Sequence, residues 1–387
     1  MVEHNYRERF LLPTPNKEAL KHVLEACEKG QLHPVVEGIV EVALSENPRI
    51  HPVRQETAIV IEGGGVAGVV SGYEAGALEI LGWEVFGRDI VDCVGLVVGS
   101  SSGSANAAYL VNQRAIFGKS TYETHFSIPP FLNNPFRKNW PFLNPRTFLT
   151  LVSRGMVDVS YLIEFMRQDK VSYSNRNLLD TRLCVVATRV DPTLPGTPEA
   201  RTVRLENFEN NGDFLGALEA SLTVPFASRL TPKIFRGMRL FDGGLVEHIP
   251  TKTAVDSGYT RILALTSKPV QASKARQQLS VTERGIATAY KLLDSGLAEL
   301  WLSRKERAQQ TRSWLYNCSM ARQKNPVFAT LVAPAKVDVP TFTSNQDVIR
   351  AGGIEGARSL FEAFGIKDPR IQHGLLQKLL SIETTGV

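Results

Sequence analysis

Two glycine-marked turns constrain what this chain can fold into more than any other feature: Gly63-Gly64-Gly65-Val66-Ala67-Gly68, and Gly99-Ser100-Ser101-Ser102-Gly103 a short way downstream. Each follows an apolar run and precedes small, helix-compatible residues, so each reads as a strand turning sharply into a helix, the repeating unit of an α/β fold. The runs Thr57–Ile61, Val94–Val98, Arg182–Ala187 and Arg261–Leu265 are apolar at successive rather than alternate positions. Strands with that pattern are buried on both faces, as in a parallel sheet covered by helices.

Around this α/β stretch the 387 residues divide into three parts. Residues 1–56 hold two amphipathic segments, Asn16–Lys29 and Pro34–Ser45, and are expected to form an N-terminal helical extension. Residues 57–270 carry the strand runs and both turns, and 271–387 are expected to be a helical region packed on them. Within that last part Ile286, Tyr290, Leu293, Leu297 and Trp301 share one stripe of a long helical stretch. Between the second and third runs, Phe126–Leu151 combines six large aromatics with five prolines, which argues against a long regular element there. It suits either an interfacial loop or packing over the mouth of a site.

Charge is uneven. Between Gln271 and Asn325 ten Lys or Arg stand against four Asp or Glu, more than the net +5 of the whole chain. With no nucleic-acid motif beside it, this surplus suits a solvated face or an anionic lipid surface, and nucleic acid is not expected as a partner. Cys27, Cys93, Cys184 and Cys318 have neither disulfide nor metal-site spacing and read as reduced fillers, with no metal expected. The first residues lack the apolar core of a secretory signal, and the apolar stretch Ile61–Leu81 is broken by Glu62, Glu74 and Glu79. A cytoplasmic location is expected, with peripheral contact at membranes or lipid surfaces as an addition.

The second turn matches G-x-S-x-G, the elbow that lifts a serine hydroxyl out of a sheet, and makes Ser101 the candidate nucleophile. A serine needs a base. Asp242, in Leu240-Phe241-Asp242-Gly243-Gly244, is a carboxylate delivered by an apolar pair to a turn that lets other groups approach. None of the seven histidines has a comparable setting, and His248, the one near Asp242 in sequence, reads as part of a structural loop. A Ser-Asp dyad is therefore preferred to a triad. Attack on an ester also creates an oxyanion, and Gly63, Gly64 and Gly65, together with the backbone N–H of Ser102, are the candidate donors.

These motifs, in this order, resemble the patatin-like phospholipases, lipid acyl hydrolases that use a Ser-Asp dyad. The resemblance runs from about Thr57 to Pro250 and includes Ala220-Ser221-Leu222-Thr223-Val224-Pro225-Phe226 ahead of the aspartate. It implies a three-layer α/β/α fold with a mainly parallel central sheet, flanked by the N- and C-terminal helical extensions. Carried over by position, it implies Ser101 as nucleophile, Asp242 as base and Gly63 to Gly65 as the oxyanion region. The implied activity is hydrolysis of carboxylic esters in phospholipids or other acyl lipids, or acyl transfer, with no cofactor. The chain departs from the family at Ala67, where Arg or Lys is usual, and more mildly at Ser102 and Ser104.

Two other readings stand beside it. One is a non-catalytic lipid-binding protein on the same fold. The other takes Gly63, Gly65 and Gly68 as the G-x-G-x-x-G of a dinucleotide-binding oxidoreductase, with Glu84 or Asp89 near the ribose-binding position.

Overall fold

The computed structural model describes residues 15–124, 158–173, 181–225, 228, 231–270, 281–324, 326–341, 343 and 345–381. The Phe126–Leu151 stretch lies outside them, as does Phe226. The strands are β1 (Thr57–Ile61), β2 (Leu96–Ser100), β3 (Arg182–Arg189), β4 (Thr202–Leu205), β5 (Lys233–Phe235), β6 (Met238–Asp242), β7 (Arg261–Leu265) and β8 (Phe328–Val332). They form one sheet in the order β5-β6-β3-β2-β1-β7-β8, with β4 also paired to β3. The run β3-β2-β1-β7-β8 is parallel throughout. The pairings of β4 and β6 with β3, and of β5 with β6, are antiparallel.

Successive apolar residues in these strands are needed because each face of the sheet has its own core. In β1, Ile59 and Ile61 join one cluster while Ala58 and Val60 join the other; in β2, Val97 faces the first and Leu96 and Val98 the second. This is the period-two geometry of a strand in a sheet covered on both sides, and it makes the fold the expected three-layer α/β/α arrangement.

The longer helices are α1 (Lys17–Glu28), α2 (Pro34–Leu44), α3 (Val69–Glu84), α4 (Ser102–Val111), α5 (Ala115–Thr124), α6 (Val159–Gln168), α7 (Asn211–Leu222), α8 (Val281–Leu293), α9 (Ser295–Ala321), α10 (Gln346–Ala363) and α11 (Pro369–Ser381). Buried residues of α1–α7, α10 and α11 line the first core, whereas Tyr290 of α8 and Leu297, Leu300, Trp301 and Leu315 of α9 line the second.

Two expectations for the C-terminal region need amendment. It is not wholly helical, since β8 adds a parallel edge strand to β7. The helical stretch after Ser280 is also two helices, interrupted at Asp294, whose carboxylate accepts the N–H groups of Gly296 and Leu297. The same carboxylate is gripped by Arg201 Nη1 and Nη2 at 2.6 and 2.9 Å, both side chains fully buried. A bidentate pair at a helix N-cap fixes where α9 starts relative to β4.

The feature that positions the site is the edge of β3. Strand β2 pairs with Arg182 to Val186 and β6 with Ala187 to Arg189, while β4 runs along Val185 to Thr188. A strand has only two edges, and β4 overlaps both partners, so β2 and β6 share the other edge and approach along it from opposite directions. The last residue of β2, Ser100, stands opposite Val186, and the last residue of β6, Asp242, stands opposite Ala187.

Candidate active site

The elbow follows β2 directly. Ser101 has φ 55° and ψ −134°, a left-handed conformation that a serine adopts at a cost, and Ser102 then opens α4. The segment Ala220–Pro225 braces this turn. The Ser101 N–H donates to Ser221 Oγ at 3.1 Å, and that hydroxyl donates to the Val186 carbonyl at 2.6 Å. Two residues on, the Thr223 carbonyl accepts the Asp242 N–H at 2.9 Å. One helix end thus holds the backbones of both Ser101 and Asp242.

The two glycine turns interlock. A Cβ on Gly63 would lie 2.5 Å from the Ser100 carbonyl oxygen and 2.7 Å from Ser101 Cβ, and one on Gly103 would lie 2.3 Å from the Ile61 carbonyl oxygen. Only glycine allows the loop after β1 to lie against the elbow after β2.

Asp242 is buried beside this elbow. Its Oδ1 accepts the Gly244 N–H at 2.8 Å. Burial pushes its pKa up to about 7, and hydrogen bonding by the Ser101 hydroxyl and the Gly244 N–H holds it from going higher. Oδ2 is buried without a partner at full hydrogen-bonding geometry among the described residues.

His248 comes close but in another role. Its Nε2 lies 3.7 Å from Glu62 Oε1, its pKa is pushed down to about 4 chiefly by burial, and its carbonyl accepts the Gly63 N–H at 3.1 Å. It braces the glycine loop, in keeping with the structural-loop reading.

Most amides of the glycine loop are already engaged. Gly63 donates to His248, Gly64 to Ser102 Oγ at 2.9 Å, Val66 to the Thr341 carbonyl at 3.0 Å, and Ala67 to the Gly64 carbonyl at 3.2 Å. Gly65, at φ 59° and half-exposed, and Ser102, at the first turn of α4, have no acceptor for their N–H groups among the described residues. Two consequences follow. Gly63 and Gly64, both expected as oxyanion donors, have their N–H groups turned to the protein. A loop with so few free amides also lacks the open cradle that a pyrophosphate needs, which removes the dinucleotide reading.

The family model for patatin-like phospholipases matches residues 59–255, which contain both glycine turns, the Ser221 brace and Asp242. The chain belongs to the patatin-like phospholipase family. Membership supports a lipid acyl hydrolase in general terms. Among solved structures, human GIVD cytosolic phospholipase A2 is similar at 12% identity with a TM-score of 0.26, covering 50% of this chain and 27% of that one. The chain therefore spans about a quarter of that protein. Among curated proteins no sequence gives a significant match.

In this patatin-like chain the position before the last loop glycine, Ala67, is fully buried. Ser104 Oγ donates to the Ser101 carbonyl at 2.6 Å and so supports the elbow. The C-terminal region adds supports that the motifs do not mark. Glu62, fully buried just before the loop, accepts the Ser267 N–H at 2.6 Å and binds Arg312 of α9. Arg307 of α9 donates to the Leu245 carbonyl, in the turn that follows Asp242. Among the described residues, no helix is long and apolar enough to cross a membrane.

Proposed function

We propose that the chain is a serine acyl hydrolase acting on carboxylic esters of phospholipids or other acyl lipids, with Ser101 as nucleophile and Asp242 as its base. The observation that carries this reading is the meeting of two strand ends on one edge of β3, which sets the strained Ser101 against a buried carboxyl whose pKa is raised to about 7. A base of that pKa is half ionised near neutrality and accepts a proton from a hydroxyl without being a permanent buried charge.

In the first step Ser101 Oγ attacks the ester carbonyl carbon while Asp242 Oδ2 takes its proton. The oxyanion is met by the Gly65 and Ser102 N–H groups, the latter aided by the N-terminal dipole of α4. Collapse breaks the bond to the alkoxide oxygen, which takes the proton from Asp242 and leaves as the alcohol. Water then gives a proton to Asp242 and attacks the acyl-serine; collapse returns the proton to Ser101 and frees the acid. A lipid alcohol in place of water makes the second step an acyl transfer.

Residues 57–270 form the catalytic unit in this reading, and the flanking regions brace it. The basic surplus between Gln271 and Asn325 suits peripheral contact with an anionic lipid surface.

Covalent labelling of the purified protein with a fluorophosphonate, mapped by peptide mass spectrometry, tests the assignment. Label confined to Ser101 and lost in Ser101→Ala is expected, together with Ser101-dependent turnover of a short-chain ester. Absence of both in folded protein that still binds liposomes supports the non-catalytic lipid-binding reading instead.

A further inference from the structure

The bond from Gly64 N–H to Ser102 Oγ is one link in a longer path. Ser102 and Asn106 are four residues apart on α4 and face the glycine loop together. Tyr122 of α5 brings its hydroxyl beside Ser102 Oγ, both against Gly68, and that hydroxyl donates to Asn106 Oδ1 at 3.1 Å. Asn106 Nδ2 in turn donates to the Gly68 carbonyl at 2.9 Å and to Ser71 Oγ at 3.1 Å. The path therefore leaves the loop at the Gly64 N–H and returns to it at the Gly68 carbonyl, with Ser102, Tyr122 and Asn106 all buried. It also runs tight against the loop: a Cβ on Gly68 would lie 2.5 Å from Ser102 Oγ and 2.9 Å from Tyr122 Oη.

Donor and acceptor needs are met in one direction around the path. Gly64 N–H gives to Ser102, Tyr122 gives to Asn106, and the Asn106 amide gives back to the loop; with the Tyr122 proton committed to Asn106, the Ser102 hydroxyl beside it is the one with a proton to give to Tyr122 Oη. A buried chain of this kind holds its members in one arrangement, because breaking any link strands a polar group away from water.

From this path we infer that the side chains of Ser102, Tyr122 and Asn106 are positioning residues that clamp the loop Gly64–Gly68 so that Gly65 alone among its first three glycines presents its N–H to the substrate oxyanion. The inference rests on the acyl-hydrolase reading of Ser101. Gly64 is an anchor under it, and the Ser102 side chain acts through that anchor while its backbone N–H faces the substrate. The hydroxyl at position 102 is thereby not a spare nucleophile beside Ser101; it holds the wall of the oxyanion site.

The test compares wild type, Ser101→Ala, Ser102→Ala, Tyr122→Phe and the Ser102→Ala/Tyr122→Phe double variant on a short-chain p-nitrophenyl ester, with kcat and KM determined separately and thermal unfolding followed in parallel. Ser102→Ala is expected to lower kcat about tenfold, the scale of one lost buried hydrogen bond, with KM changed less than about twofold. Tyr122→Phe is expected to lower kcat in the same direction. The double variant should be little worse than Ser102→Ala alone, because both single changes break the same path. Unchanged or raised kcat in Ser102→Ala, with turnover still dependent on Ser101, overturns the clamp and makes the Gly64 N–H a donor that Ser102 blocks. Additive losses that track only the melting temperatures also overturn it. Failure of the parent reading is distinct, since wild type would then show no Ser101-dependent turnover at all.

Discussion

Glu62 and Arg312, 250 positions apart, meet as a buried ion pair at the foot of the glycine loop, with side chains 0% and 5% exposed. The carboxylate also accepts the Ser267 N–H, so this one acid ties the end of β1, the residues after β7 and helix α9 together.

Removing the cation is expected to be costly, because it leaves Glu62 charged and buried without its partner. Arg312→Ala should lose about 3–5 kcal/mol of stability in urea denaturation at pH 7. Arg312→Lys, which keeps the charge but not the fork of donors, should lose less. A loss in Arg312→Ala below about 1 kcal/mol would show that the pair contributes no net stabilisation.

The raised pKa of Asp242 has two consequences of opposite sign. Since the reaction needs the ionised form, kcat/KM for a neutral ester should rise with pH and level off above about 7. Stability should run the other way. The folded-state pKa lies above the ordinary 3.8, so between about pH 4 and 7 the folded state binds more protons than the unfolded state. Ionising Asp242 therefore costs stability progressively as pH rises through that window. Asp242→Asn should be inactive, more stable than wild type by up to about 4 kcal/mol at pH 8, and little different at pH 4. Thermal melts at both pH values check it; equal destabilisation at both contradicts the assigned pKa shift.

The positive φ of Ser101 is a cost borne for the elbow. Ser101→Ala removes the hydroxyl and keeps the strain, whereas Ser101→Gly removes both. Both variants should be inactive, with Ser101→Gly the more stable of the two by about 1 kcal/mol once the chain entropy of glycine is set against the relieved strain. Equal midpoints in parallel denaturation curves would mean that this backbone holds no strain.

What the sequence made legible was local. A strand, a glycine turn and a small-residue helix are contiguous, so both turns, the apolar runs of β1, β2, β3 and β7, and Ser101 as a candidate could be read directly. Asp242 could be nominated from its glycine turn, but its setting depends on β6 running antiparallel along an edge that β2 vacates, and nothing near residue 242 encodes that. The engagement of the Gly63 and Gly64 amides was equally hidden, since their acceptors are the His248 carbonyl and the Ser102 hydroxyl. Glu62 and Arg312 sit in unremarkable stretches and gain meaning only as a pair. Strand β8 did leave a signal, the apolar and β-branched run Phe328-Ala329-Thr330-Leu331-Val332, but it lies in a region dominated by helical periodicity.

The shared edge of β3 also acts as a ruler. Ser100 and Asp242 belong to strands that are not bonded to each other, and what separates them is the step from Val186 to Ala187 in a third strand that carries neither reactive group. A strand advances about 3.3 Å per residue. One residue inserted between Val186 and Ala187 would move the two strand ends apart by about that much and turn the side chains paired beyond it to the opposite face of the sheet, so the meeting of hydroxyl and carboxyl is written in the length of a strand that carries neither.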